Sequence, residues 1–257
     1  MSLSCEIDGR GIARLTLNRP DKRNALSAEL IAALHAQAEA LGANADVRVV
    51  LLSGAGKSFC AGGDLAWMKA QITADRSTRK AAARALAEML RALDRIPKPL
   101  LASVHGSALG GGTGLACVCD AVFAAPTAQF GLTETRLGLI PATISPYVIA
   151  RMGPAQARSV FLSSRPFDAA TAQRLGIVFE VCADPTARAE EEAEAYLACA
   201  PGAVARAKAF ARSFAPPVDE AVIERTIEAL ADTWEAPEAL QGISAFFDKT
   251  NPPWRGQ

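Results

Sequence analysis

The chain has 257 residues, half of them apolar, enough for one large domain with a sizeable core. Lys plus Arg and Asp plus Glu each number 27, so the formal net charge is zero and gives no support to nucleic-acid or anionic-membrane binding. The six cysteines (Cys5, Cys60, Cys117, Cys119, Cys182, Cys199) are scattered, and Cys117 and Cys119 lack a partnering pair at zinc spacing, so reduced, mostly buried thiols and no metal site are expected.

The opening MSLSCEIDGRG has no apolar core of signal-peptide length, and charged residues interrupt every candidate membrane span, so a cytoplasmic protein is expected. After the turn signal at Gly9 to Gly11, residues 12–17 alternate as a half-buried strand does. Ser27 then reads as the N-cap of a helix carrying Leu30, Ile31, Leu34, Ala38 and Leu41 at helical spacing. Residues 47–53 read as a buried strand and 78–95 as an alanine-rich helix that Pro97 and Pro99 stop; residues 100–104 read as another buried strand. This alternation predicts an α/β core with some parallel pairing. After Thr133 helical periods dominate, over 154–214 and 217–247, with one short apolar run at 177–181 that suits a strand.

Two glycine-rich segments each follow a predicted strand and lead into a helix. The first runs from Lys57 through Phe59, Cys60, Ala61, Gly62 and Gly63 to Asp64, which is placed to cap that helix. It is no phosphate loop, because Leu51 stands where the loop needs its first glycine. The second runs from Val104 to Leu115 and holds Gly110, Gly111 and Gly112, with no dinucleotide fingerprint in register. Either turn alone suits a structural role. Together they can bring two backbone N–H donors to one point, the geometry of an oxyanion hole. A third segment, 130–141, sets Glu134 alone among Leu132, Leu137, Leu139 and Ile140. An apolar pocket would raise its pKa toward neutrality; a helix-start carboxylate or an ion pair with Arg136 is the plainer reading. His35 lies on an amphipathic helix and His105 ends a buried strand, where a turn hydrogen bond is the expected job.

These segments, with Leu17 to Pro20, Asn24 to Leu26, Cys119-Asp120 and Phe246 to Lys249, resemble the crotonase (enoyl-CoA hydratase/isomerase) superfamily over most of the chain. The resemblance implies a spiral of ββα units over residues 1–197 and a C-terminal helical trimerisation region over 198–257. It implies that the Gly63 and Gly111 N–H groups hold an acyl-CoA carbonyl. Arg23, Ala25, Ala61 and Leu65 match positions along the coenzyme A path. Lys57, Lys69 and Lys249 suit its phosphates, Lys249 reaching from a neighbouring subunit of a homotrimer or homohexamer. No cofactor is implied, since coenzyme A is part of the substrate.

Two-glutamate hydratases carry a Glu two residues after the glycine triplet; here that position is Gly114, and only Glu134 remains. A single Glu at this place resembles Δ3,Δ2-enoyl-CoA isomerases. Asp64 to Met68, Gly138 to Pro146 and Pro253-Trp254 instead resemble bacterial methylglutaconyl-CoA hydratases. The leading expectation is therefore hydration of a short or branched 2-enoyl-CoA, with 3-methylglutaconyl-CoA as the named candidate. Isomerisation by the same Glu is the second, and a non-catalytic relative that binds acyl-CoA or RNA the third. Trp67, Met68, Leu132, Ile140 and Ile144 are assigned to the acyl pocket or, equally well, to the core.

Overall fold

A computed structural model describes residues 1–256. A hairpin of β1 (Leu3–Ile7) and β2 (Ile12–Leu17) opens the chain. Helix α1 (Ala28–Ala43) follows, with the Ser27 hydroxyl accepting from the Leu30 N–H as the cap expectation requires. Then come β3 (Val49–Gly54), α2 (Leu65–Thr73), α3 (Arg76–Arg95), β4 (Leu100–Val104) and β5 (Ser107–Leu109). Next are α4 (Gly111–Val118), β6 (Ala121–Ala124), β7 (Gln129–Gly131), a 3-10 turn at Glu134–Leu137, and α5 (Ser145–Ser163). The chain ends through β8 (Phe167–Asp168), α6 (Ala169–Arg174), β9 (Glu180–Val181), α7 (Pro185–Leu197), α8 (Pro201–Ser213), α9 (Glu220–Glu235) and α10 (Pro237–Asp248).

Six strands form one sheet in the order β1-β2-β3-β4-β6-β9, parallel except for the opening hairpin. A second sheet, β5-β7-β8, stands beside it. The chain passes from the large sheet to the small one twice, at β4 to β5 and at β6 to β7, and returns through a helix. That is the expected spiral of ββα units. One main core lies under α1, α3, α4 and α5, centred on Leu15, Leu52, Phe59, Leu90 and Phe130.

The structure adjusts several expected elements. Strand β3 begins at Val49 because the ladder with β2 starts at Ile12↔Val49. Helix α3 starts two residues early, at Arg76, since the Asp75 carboxylate accepts from the Thr78 N–H. Helix α5 starts at Ser145, well before Pro154, and kinks at Gly153, whose backbone leaves the helical region (φ 74°, ψ 160°). Pro154 then opens the second segment, where its missing N–H costs nothing. The cysteines are all free, but only Cys60, Cys117 and Cys119 are buried.

Helix α9 lies along α3 through a ladder of opposite charges over a small apolar seam of Ala83, Ala87, Ile223 and Ile227. Arg76 pairs with Glu228, Asp232 and Glu235 at 2.6, 2.7 and 2.6 Å. Lys80 pairs with Glu224 and Glu228, and Arg84 with Glu220 and Glu224. Exposed pairs contribute little singly and are screened by salt. A reversed charge inside the ladder is different, because it meets two like charges at once. Glu228→Lys should lower Tm, and by less in about 1 M salt than at low ionic strength. Equal Tm losses at both salt levels would show that packing, not charge, orients α9.

Candidate active site

The two glycine-rich turns are built against each other. The strand-end bridge Cys60↔Ala108 ties them: Cys60 N–H donates to Ser107 O (2.9 Å) and Leu109 N–H to Cys60 O (3.0 Å). Gly62 (φ 94°) and Gly110 (φ 50°) both hold left-handed backbone that other residues rarely adopt. A Cβ on either would lie 3.9 Å from the Cα of the other, so the turns face each other across bare backbone.

Gly63 forms a parallel bridge with Leu26. Leu26 N–H donates to Gly62 O (2.8 Å) and Leu26 O accepts from Asp64 N–H (3.1 Å). Both bonds use the residues flanking Gly63, so its own N–H points away from Leu26. Gly111 is the first residue of α4 and its N–H has no intrahelical acceptor. Gly110 N–H is anchored on Gly131 O at 2.7 Å, and the Thr113 hydroxyl donates its one hydrogen to Ala108 O at 2.7 Å, with Gly131 O 3.0 Å away. The start of α4 is thereby pinned to β5 and β7.

Glu134 opens the 3-10 turn after β7, and its carboxyl reaches the same place: a Cβ on Gly110 would lie 2.9 Å from Glu134 Oε1. The residue as a whole is half-buried, yet Oε2 is shut from solvent and has no hydrogen-bond partner among the described residues. Burial pushes the carboxyl up to about 7, against a smaller downward pull from the amides of Glu134 and Thr133. The expected alternative of an ion pair with Arg136 does not form among the described residues.

The turn itself is held from outside. Thr135 bonds Phe161 O (3.1 Å) and the Ser164 hydroxyl. Gly138 and Gly242 allow α10 to press on it backbone to backbone: Cβ atoms there would meet Glu238 and Leu137 main-chain carbons at 2.4 and 2.5 Å. Leu139, Trp234, Ala239 and Ile243 seal that contact. The C-terminal helices of this chain thus support its own Glu134.

The other expected residues fall into three groups. Met68 and Trp67 flank Gly63, with Met68 Sδ and Trp67 Cε3 3.6 and 3.9 Å from a Cβ built there. Arg23, Lys57, Leu65, Lys69 and Lys249 are exposed, Ala61 is half-buried, and Ala25 is buried beside Asn24. Leu132 lies in the main core and Ile140 is exposed. Ile144 is buried against α4, where a Cβ on Gly114 would meet its Cγ2 at 2.5 Å. The space that a side chain at position 114 would need is therefore filled. His105 serves the turn, with Nε2 2.9 Å from Gly56 O. Two surface clefts, of about 230 and 370 Å³, lie far from Glu134, around Lys98 and Pro97 at the opposite ends of β3 and β4. They hold none of the expected site residues.

Three contacts of residues already noted in the sequence were not foreseen from it. Leu26 presses on Gly111, 2.7 Å from a Cβ there. Buried Asn24 takes left-handed backbone (φ 55°) and donates to Ala55 O and Ser58 O at 2.9 and 2.8 Å. Asn after a Pro-containing turn was the available signal for that conformation. Arg19 and Asp64 pair at 2.8 Å, and nothing in their spacing announces it.

Two facing glycine-rich turns beside a buried carboxyl pushed up to about 7 are an arrangement suited to proton transfer next to a polarised carbonyl. The family comparison agrees: the model for enoyl-CoA hydratase/isomerase matches residues 8–257. The chain belongs to the enoyl-CoA hydratase/isomerase family, whose members act on acyl-CoA thioesters. Among similar proteins, the structure of Pseudomonas aeruginosa AtuE is 38% identical with TM-score 0.81, each chain covered to 100%. An enoyl-CoA hydratase structure from Shewanella pealeana is 37% identical with TM-score 0.82, covering 99% of this chain and 96% of that one. YngF of Bacillus subtilis is 34% identical over 262 residues, 99% of this chain and 98% of its own. No helix among the described residues is long and apolar enough to cross a membrane.

Proposed function

We propose that this protein adds water to a short or branched 2-enoyl-CoA, with 3-methylglutaconyl-CoA as the candidate to try first. The observation that carries the reading is the buried, unpartnered Oε2 of Glu134, in a carboxyl that lies against Gly110. The thioester oxygen takes hydrogen bonds from the Gly63 and Gly111 N–H groups. They are worth most when negative charge gathers on that oxygen, and losing one such donor raises a barrier by about 2.7–4 kcal/mol. The Glu134 carboxylate accepts a proton from water as the water oxygen bonds to C3. The carboxylic acid so formed gives that proton to C2 as the enolate collapses. Both hydrogens of the water end in the 3-hydroxyacyl product. In 3-methylglutaconyl-CoA the distal carboxylate helps to orient the water. Trp67 and Met68 bound the acyl group beside Gly63. Arg23, Ala25, Lys57, Ala61, Leu65 and Lys69 follow the coenzyme A, joined by Lys249 within a cytoplasmic homotrimer or homohexamer.

A second reading has one specific observation behind it. Ile144 closes the space over Gly114, leaving a single carboxylate to do all proton transfer. One base moving a proton between C4 and C2 is isomerisation. Turnover of a panel of 2-enoyl- and 3-enoyl-CoA thioesters in heavy-oxygen water separates the two. Label in a 3-hydroxyacyl product is the expected result. A shifted double bond without label would establish isomerisation instead, and tight acyl-CoA binding with no turnover would overturn both.

A further inference from the structure

We infer that the Arg19–Asp64 ion pair is the positioning device for the Gly63 amide, fixing the direction in which that N–H meets the thioester oxygen. The inference rests on the oxyanion reading above and adds residues that touch no substrate atom.

The turn bearing Gly63 is strapped to the loop after β2 mostly by main-chain bonds. Ala61 N–H donates to Arg23 O (3.0 Å), Leu26 N–H to Gly62 O and Asp64 N–H to Leu26 O. These bonds set the register of the two segments. Two side-chain links add to them, Asn24 to Ser58 O and the ion pair, and of these the ion pair reaches the residue next to Gly63. Asp64 spends one oxygen on α2, accepting from the Ala66 and Trp67 N–H groups at 2.9 and 3.2 Å. Its other oxygen meets Arg19 Nη2 at 2.8 Å, while Arg19 Nη1 donates to Ala25 O at 2.5 Å. Arg19 is itself fixed, since its N–H donates to the buried Asn24 side chain at 2.8 Å. One guanidinium thus locks the start of α2 to residue 25, with Gly63 between the two locked points. The Asp64 side chain is 9% exposed and that of Arg19 20%. Water therefore competes poorly for the pair, and its geometry is sharper than that of a surface pair.

A lock of this kind shows in carbonyl polarisation and kcat more than in substrate affinity. The amide still exists when the lock is lost, but it points wrongly when charge develops. Misplacement of about 1 Å costs up to about 100-fold in rate.

The test uses the full-length protein, a panel substrate that it turns over, and butyryl-CoA isotope-labelled at the thioester carbonyl as infrared probe. In the wild type the bound carbonyl stretch should lie below its value in water. Asp64→Asn keeps the helix-capping oxygen and removes only the charge. It should lower kcat by roughly 10-fold to 100-fold, leave KM within about 2-fold and return the stretch toward its solution value. Arg19→Gln should do more, because it strands the Asp64 charge, and the double variant should recover part of that loss. Arg19→Lys, able to serve only one of Asp64 and Ala25, should fall between. If Arg19→Gln does not fold, Asp64→Asn and Arg19→Lys still decide. A wild-type stretch equal to that in water defeats the oxyanion reading and this inference with it. A lowered wild-type stretch that stays unchanged in folded Asp64→Asn and Arg19→Lys defeats the positioning role alone.

Discussion

Glu134→Gln should cut turnover steeply and stabilise the protein at the same time. On the activity side, losing a positioned acid-base group costs on the order of 10²- to 10⁴-fold in kcat/KM. In the wild type kcat/KM should rise with pH and level off above about 7, since burial holds the carboxyl there and the ionised form starts the reaction. The stability effect follows from the same burial. Below pH 4.5 both the folded and the unfolded chain hold the Glu134 proton. Between 4.5 and about 7 the unfolded chain has released it and the folded chain has not, so stability falls as pH rises, then stays low. A gap of that size corresponds to about 3 kcal/mol. The amide that replaces the carboxyl does not titrate, so the Tm-versus-pH curve of the variant should be flatter across that window and lie higher at pH 8. Parallel curves for the two proteins would show that Glu134 is not the buried acid described here. Retained activity on every enoyl-CoA would remove it from the mechanism.

Gly112→Ala should damage both stability and turnover through a single added methyl. The added Cβ would stand 2.2 Å from the Cys60 carbonyl oxygen and 3.0 Å from both the Cys60 carbonyl carbon and Cβ. The obstacle is main chain, so no rotamer change relieves it. The two turns must part, or α4 must tilt. Forced packing of this kind costs about 3 kcal/mol or more, on the order of 10 °C in Tm for a chain this long. Because Gly111 precedes and Cys60 lies three residues before Gly63, the same shift would separate the two amides. A displacement of about 1 Å would lower kcat on the order of 100-fold in whatever fraction folds. Gly9→Ala is the matched control, since nothing lies within 4 Å of a Cβ there. A Gly112→Ala protein with wild-type Tm and kcat would mean that the spacing of the turns is not what makes the site.

Much of this was readable one residue at a time, wherever a signal is local. The Ser27 and Asp64 caps, the alternation over 12–17, the buried run at 100–104 and the proline stop after α3 each follow from a residue and its near neighbours. The two glycine-rich turns were visible for the same reason, and so was a lone Glu134 among apolar residues. Strands β5, β7 and β8 were hard to read because two or three residues carry no periodicity, whereas β9 falls within the apolar run at 177–181. They exist because neighbouring strands supply their hydrogen-bond partners.

The sequence by itself determined the family pattern, the candidate carboxylate, and the loss of a second one at Gly114. Only the tertiary structure decided that Ile144 fills the space over Gly114, that Leu26 backs Gly111, that Arg19 reaches Asp64, and that α10 of this chain braces its own Glu134 turn. Each of those is a contact between residues distant in the chain, set by where the sheets and helices stop relative to one another. Local propensity carries no record of that distance, because the energy of such a contact appears only once both partners are already in place.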